Sequence, residues 1–209
     1  MKHGNKMYSF KICENEVERI ASRELRFEVF CVEKGWIDPS QFPNSQEFDE
    51  FDDYAKHIIA LNEKGDVIGT ARVIMPSAAG LPIEKLLLED QLDPSETVEV
   101  SRLAVREDAR GNESVVFFGV TRLMWKYVST QPINYWAASV DVPLYNRLER
   151  LGMPFIEVAE PTFYVGSESV PFVADFHKTE DVLFGAFVNR VMSRMGGGQD
   201  DTLRSANSA

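Results

Sequence analysis

Apolar residues recur along this chain with two different periods, and each change of period marks an element. Tyr8, Phe10 and Ile12 alternate with polar neighbours, which predicts a first strand over residues 8–12. From Glu14 to Glu33 there is neither Gly nor Pro, and the run predicts a long helix ending near Gly35. Val17, Ile20, Ala21, Leu25 and Val32 lie on one side of its helical wheel, interrupted by Glu24 and Glu28. Arg19, Arg23, Arg26 and Phe30 fall on the other side. A solvated face accounts for the arginines and leaves Phe30 unexplained.

The segment from Trp36 to Tyr54 mixes prolines, polar residues and aromatics without a period, so it reads as loop or short helical turns. Lys56 to Leu61 and Val67 to Met75 are apolar runs separated by Asn62 to Asp66, the pattern of a β-hairpin. Pro82 to Asp90 predicts a short helix with proline in its first turn. Val98 to Val105 predicts a strand with Glu99, Ser101, Leu103 and Val105 on one face and Val100, Arg102 and Ala104 on the other. A helix over Glu113 to Ser129, a strand over Ile133 to Val140 and a helix over Leu144 to Leu151, closed by Gly152, follow. Further strands are predicted over 155–158, 163–165 and 170–176, then a last helix over Asp181 to Met195. Residues 1–195 thus read as one α/β domain with helices on the faces of a sheet, and residues 196–209 as a disordered polar tail.

Charge changes this picture locally. Residues 1–100 hold 20 acids against 11 Lys and Arg, a net of −9, whereas residues 102–150 hold seven bases against five acids, a net of +2. A chain with a net charge of −11 lacks the basic face that general nucleic-acid binding requires. Arg102, Arg106, Arg110, Arg122, Lys126, Arg147 and Arg150 read either as ordinary surface variation or as a docking site for an acidic partner. Two cysteines and three histidines offer neither a disulfide framework nor a metal site. With no long apolar span and no secretory leader pattern, the expected compartment is the cytoplasm.

At the strand-to-helix turn stands Asp108-Ala109-Arg110-Gly111-Asn112-Glu113. A helix N-terminus there offers backbone N–H groups to phosphate or pantetheine. The turn resembles half of the Gln/Arg-x-x-Gly-x-Gly/Ala loop of the GNAT acyltransferase superfamily, with Asp108 and Glu113 in place of its first and last residues. Leu148 to Met153 resembles the superfamily's Tyr-x-x-x-Gly-Phe helix end, but Leu148 replaces the tyrosine that would serve as general acid. A second resemblance is fuller. Arg26, Phe30, Trp36, Glu47, Asp49, Asp52, Arg72 and Glu99-x-Ser101-Arg102, in that order, look like the pattern of autoinducer (acyl-homoserine-lactone) synthases. They are also similar to long-chain N-acyl amino acid synthases and exosortase-associated acyltransferases. The resemblance covers residues 20–176 and implies a GNAT-like, mixed and largely antiparallel sheet flanked by helices.

Each residue has its own reading. Arg72 sits in an apolar strand, where a buried guanidinium needs a carboxylate; Asp49 and Asp52, with Glu47 behind them, are nearest in sequence. Otherwise it is an edge residue facing water. The resemblance implies that these positions organise the N-terminal segment over an acceptor pocket, with Phe30 and Trp36 as wall. Glu99 is either a salt-bridged surface residue or the base that takes a proton from an amine, with Ser101 beside it. Arg102, on the opposite face, is expected to pair with a carboxylate or a carrier phosphate. Cys31 reads as a buried inert thiol rather than a nucleophile.

These readings converge on an N-acyltransferase with no tightly bound cofactor. A fatty acyl chain passes from a thioester to the amine of an amino acid or related acceptor. Backbone N–H groups near Leu103 and Val105 would hold the oxyanion. S-adenosylmethionine is the alternative acceptor, and a non-catalytic acyl-binding protein the alternative class. Asp108 and Glu113 would repel a pyrophosphate, so acyl carrier protein is the expected donor over acyl-coenzyme A, docked through Arg106, Arg110 and Gly111.

Overall fold

The computed structural model describes residues 8–87, 92–180 and 182–185, and within them the side chains of 111–114 are not described. Eight strands form one sheet in the order β1-β2-β3-β4-β5-β8-β6, with β7 also on β8. They span Ser9–Ile12 (β1), Ala55–Leu61 (β2), Val67–Ile74 (β3), Thr97–Val105 (β4), Tyr135–Asp141 (β5), Phe155–Glu157 (β6), Thr162–Tyr164 (β7) and Ser167–Asp175 (β8). Every pairing is antiparallel except β4 with β5.

One face of the sheet carries α1 (Glu16–Arg26), which Asn15 caps by accepting from the Glu18 N–H at 3.0 Å. The helix does not run on regularly to Glu33. It widens into a π-helical stretch over Phe27–Glu33 and stops at Gly35, whose φ of +60° suits glycine. The other face carries α2 (Glu113–Val128) and α3 (Val142–Glu149). Gly119 lies so close beneath Phe10 that a Cβ would fall inside the ring. The main core is on this α2 face, from Ile58 and Val73 through Val116, Trp125 and Trp136 to Phe172.

Four expectations need correction. The buried stripe of the first helix runs through Ser22, Leu25, Arg26, Val29 and Phe30, while Val17 and Val32 are 76% and 65% exposed. The stripe follows the i, i+3, i+4 spacing, but an arginine occupies its centre, which the wheel assigned to water. Secondly, β4 carries a bulge: Thr70 faces Ala104 and Arg72 faces Ser101, so one extra residue stands between them. Arg102, at φ +54°, takes up that residue. Its side chain therefore joins Glu99 and Ser101 on the α1 face, whereas Leu103 and Val105 pack with the α2-face core. Thirdly, the segment from Pro82 is a single 3-10 stretch, Pro82–Leu86, and residues 88–90 of the predicted helix lie outside those described. Fourthly, the final helical segment begins at 176, against β8, and residues 186–209, including the tail, lie outside the described part.

Candidate active site

β4 and β5 are paired only over Thr97–Glu99 and Tyr135–Ala137. Beyond that point the two strands part, and the sheet opens in its middle. Arg106 N–H bonds to Ile68 on β3 at 2.9 Å, so antiparallel alternation turns the N–H groups of Leu103 and Val105 toward the opening. A cavity of about 150 Å³ fills the gap and leads outward to a groove of about 860 Å³.

The cavity has two chemically distinct sides. On the α1 face stand Glu99, Ser101, Arg102, Tyr164, Phe30 and Trp36. Phe30 and Trp36 stack with ring centroids 5.9 Å apart and planes 9° from parallel. On the α2 face the walls are Met124, Trp125, Leu144, Leu148 and Phe172, with Thr121 among them. Glu99 is 2% exposed, and its Oε2 accepts from the Ile83 N–H at 2.7 Å. Burial pushes its carboxyl up to about 7, against the opposing pull of that N–H and of Arg72 and Arg102.

Behind Glu99 lies a buried network of three arginines and three carboxylates. Arg26 holds Glu47 through Nε at 2.5 Å and Asp52 through both terminal nitrogens at 2.5 and 3.1 Å. Arg72 holds Asp49 with two bonds of 2.5 and 3.0 Å, Asp52 at 2.9 Å, and donates from Nε to Ser101 Oγ at 3.0 Å. Arg102 closes the set on Glu47 and Asp49, both at 3.0 Å. The formal charges cancel, and each guanidinium has bridged partners, the condition for burying ions without a large penalty. Burial opposes ionisation of Glu47 and Asp52, but the surrounding arginines outweigh it and hold both carboxyls below their ordinary values. The network fastens the 47–52 segment to α1, β3 and β4.

Under Asp52 sits His57, 2% exposed, with Nε2 3.3 Å from Asp52 Oδ1. Burial pushes this imidazole down to about 4, despite the pull of Asp52. Its folded value lies below its ordinary 6.5. The stability it confers is therefore complete above pH 6.5 and is lost as pH falls toward 4. At roughly 1.4 kcal/mol per unit the loss is about 3 kcal/mol. Urea melts from pH 7 to 4 should show this decline as the difference between wild type and His57→Gln, because Glu99, raised to about 7, gains stability over the same range. A difference that does not change with pH would remove His57 from the titration.

The remaining expected positions fall as follows. Arg106 is paired with Asp108 at 2.7 and 3.0 Å, and Arg110 is paired with Glu33 and donates to the Val105 carbonyl at 3.1 Å. Gly111 lies in the 3-10 turn Glu107–Asn112 that leads into α2. Among the charged residues lining the groove, Lys34, Arg110, Arg147 and Arg150 outnumber Asp141 and Glu168. Cys31 is buried and its thiol is pushed up by burial. Leu148 contributes wall where the resembled pattern has tyrosine, and nearby Tyr145 donates instead to Glu157 at 2.7 Å. Among the described residues no His, Cys, Asp and Glu group has the arrangement of a metal site. Sequence reasoning missed Tyr164, Ser139, Trp125 and Thr121 on the cavity wall and His57 beneath the network. Tyr164 arrives on a short hairpin whose Gly166 (φ +78°) lies against the Trp36 backbone, a contact no motif announces.

Residues 25–120, from the end of α1 through the π-helical stretch and β2 to β4 to the first half of α2, match the acetyltransferase (GNAT) domain family. That part of the chain is similar to a GNAT acetyltransferase domain. Three of the solved structures similar to the chain are named for two kinds of product. The AHL synthase LasI has 21% identity and a TM-score of 0.68, covering 87% of this chain and 96% of its own. BjaI, a CoA-dependent acyl-homoserine lactone synthase solved with SAM and isopentyl-CoA, has 20% identity and a TM-score of 0.68, covering 88% and 90%. FeeM, an N-acyl amino acid synthase from uncultured soil microbes, has 16% identity and a TM-score of 0.63, covering 88% and 99%. These likenesses establish the GNAT fold. No curated protein matches the sequence. Within the described part of this chain, no helix is long and apolar enough to cross a membrane.

Proposed function

We propose that this chain of GNAT fold is an N-acyltransferase that moves a fatty acyl chain from a thioester, by preference on acyl carrier protein, to the amine of an amino acid or related acceptor. The observation that carries the reading is Glu99, a buried carboxyl held at about 7 where the polar and apolar sides of one cavity meet. The acyl chain lies against the α2 face and the amine enters from the α1 face. Glu99 removes a proton as the amine nitrogen attacks the thioester carbon. The Leu103 and Val105 N–H groups receive the oxyanion, the C–S bond breaks, and the proton passes to the departing thiolate. Ser101, whose Oγ accepts from Arg72, keeps its hydroxyl hydrogen for the substrate. Arg26, Arg72, Arg102, Glu47, Asp49 and Asp52 shape the acceptor side, and Phe30 and Trp36 wall it.

The carrier preference rests on the acids beside the loop and on the basic rim. Arg147 and Arg150 are exposed beside the groove, while Arg106 and Arg110 share their charge with Asp108 and Glu33. The test offers octanoyl groups on carrier protein and on coenzyme A, with single amino acids or S-adenosylmethionine as acceptor, and follows free thiol and product mass. Turnover on carrier protein should exceed that on coenzyme A. It should also fall steeply as salt shortens the screening length from about 10 Å at 0.1 M to 3 Å at 1 M. Charge reversal at Arg147 or Arg150 should raise the carrier's KM. Better turnover of acyl-coenzyme A, indifferent to salt, would sink the carrier preference; product only with S-adenosylmethionine would replace the acceptor; no thiol release from any pair would leave a binding protein.

A further inference from the structure

The acceptor side of the cavity is closed by a hairpin whose turn is strained. β7 and β8 pair Tyr164 with Ser167, so the chain reverses on Val165 and Gly166 alone. Both have positive φ, +47° and +78°, the pattern of a type I′ turn. Glycine suits that region, but a β-branched valine does not, and strain of this kind gathers at active sites and ligand clamps. The turn is pressed onto Trp36, since a Cβ on Gly166 would come within 2.4 Å of its backbone. By alternation along β8, Ser167 shares the α1 face with Val173, which packs with Phe51, Leu81 and Ile83. Its partner Tyr164 is therefore on that face, and it lines the cavity with Glu99, Ser101 and Arg102.

The polar groups on this face have bonding capacity to spare. Tyr164 is bonded only through its backbone, its carbonyl accepting from Ser169 Oγ at 3.4 Å, and its hydroxyl has no partner among the described residues. Burial, helped by the charge of Glu99, pushes this phenol up, so it remains a donor at neutral pH. Arg102 spends Nε and Nη2 on Glu47 and Asp49 and has no acceptor for Nη1 among the described residues. Glu99 uses only Oε2, on the Ile83 N–H. A free carboxylate oxygen together with free donors on one cavity wall matches a molecule that carries an amine beside an anionic group.

Building on the acyltransferase reading, we propose that Tyr164 selects the acceptor by its carboxylate. The phenol O–H, with Arg102 Nη1, holds the carboxylate of an α-amino acid unit while the amine meets Glu99. A plain amine leaves both donors unpaired, and the site turns it away for that reason.

The experiment offers single amino acids, S-adenosylmethionine and their decarboxylated amines to the whole protein, wild type and Tyr164→Phe, with octanoyl-pantetheine as donor. The substitution keeps the ring and removes only the hydroxyl, so the hairpin should hold. Wild type should prefer the carboxylated member of each pair. In Tyr164→Phe the KM of the best carboxylated acceptor should rise about ten- to hundredfold, the worth of a hydrogen bond to a charged group. Meanwhile kcat, the donor's KM and the KM of the decarboxylated amine should change little. Calorimetric titration with the same pairs, without donor, should show the same selective loss of affinity. Equal KM for both members of a pair in wild type, an unchanged KM in Tyr164→Phe, or an equal rise for both members would overturn the inference and leave acyl transfer standing. Tyr164-dependent binding without transfer to any amine would refute the acyltransferase reading and leave the carboxylate recognition standing. Neither binding nor transfer with any carboxylated acceptor would overturn the inference as well.

Discussion

Glu99→Gln should lower the rate of acyl transfer about 10²–10⁴-fold, the loss typical of a missing general base. The amide keeps the shape and still accepts from the Ile83 N–H, so the fold should persist. With the carboxyl at about 7, the wild-type rate should climb with pH through neutrality as the ionised base appears, and the variant should lose that limb. Stability should move the other way. The folded value lies above the ordinary 4.5, so the contribution of Glu99 is complete below pH 4.5 and is lost as pH rises through about 7. Above pH 8 the variant should therefore be the more stable protein, by a difference on the order of 3 kcal/mol at roughly 1.4 per unit. Rate profiles together with denaturant melts at pH 5 and 8 test both. A variant with wild-type rate at pH 7 removes Glu99 from the mechanism, and one that is less stable at pH 8 contradicts the burial argument.

Arg72→Ala should cost about 3–5 kcal/mol of folding stability, because Asp49 and Asp52 lose the guanidinium that bridges them inside the protein. The loss should appear as a lower urea midpoint with an unchanged slope, or as insolubility at 37 °C. Arg72→Lys should recover only part of it, since one ammonium cannot reproduce five directed N–H donors. A wild-type midpoint for Arg72→Ala would mean that the network contributes nothing to the fold. Activity should fall with stability here, whereas in Glu99→Gln the two should separate.

Much of the architecture was legible in the chain. The hairpin around Asn62–Asp66, the strand carrying Glu99 and the helix closed by Gly152 all announce themselves by period and punctuation. Of the network, Arg72 and the carboxylates Glu47, Asp49 and Asp52 could be paired from the chain, because an arginine inside an apolar strand demands a partner; Arg26 and Arg102 joined them only through the resemblance to autoinducer synthases. What could not be read depends on tertiary context. Arg26 looks like surface on a helical wheel, and only the presence of Glu47 and Asp52 across the gap makes it core. The bulge at Arg102 adds one residue without any glycine or proline to signal it, and so reverses every face after it. Tyr164 and Ser139 reach the cavity through β7 and β8 pairings separated from Glu99 by some forty to sixty-five residues, and Trp125 does so from α2.

The parting of β4 from β5 has a mechanical consequence. A sheet interrupted at its centre has two inner edges, each with backbone groups that a continuous sheet would have satisfied. Whatever lies between them with suitably spaced amides acts as a guest strand and closes the lattice. The two halves of the protein, β1 to β4 and β5 to β8, are then stitched by an occupant as well as by Thr97–Glu99. Occupancy becomes part of the molecule's rigidity: filled, the domain melts as one unit at a higher temperature, and empty, its weakest seam runs straight through the place where chemistry happens.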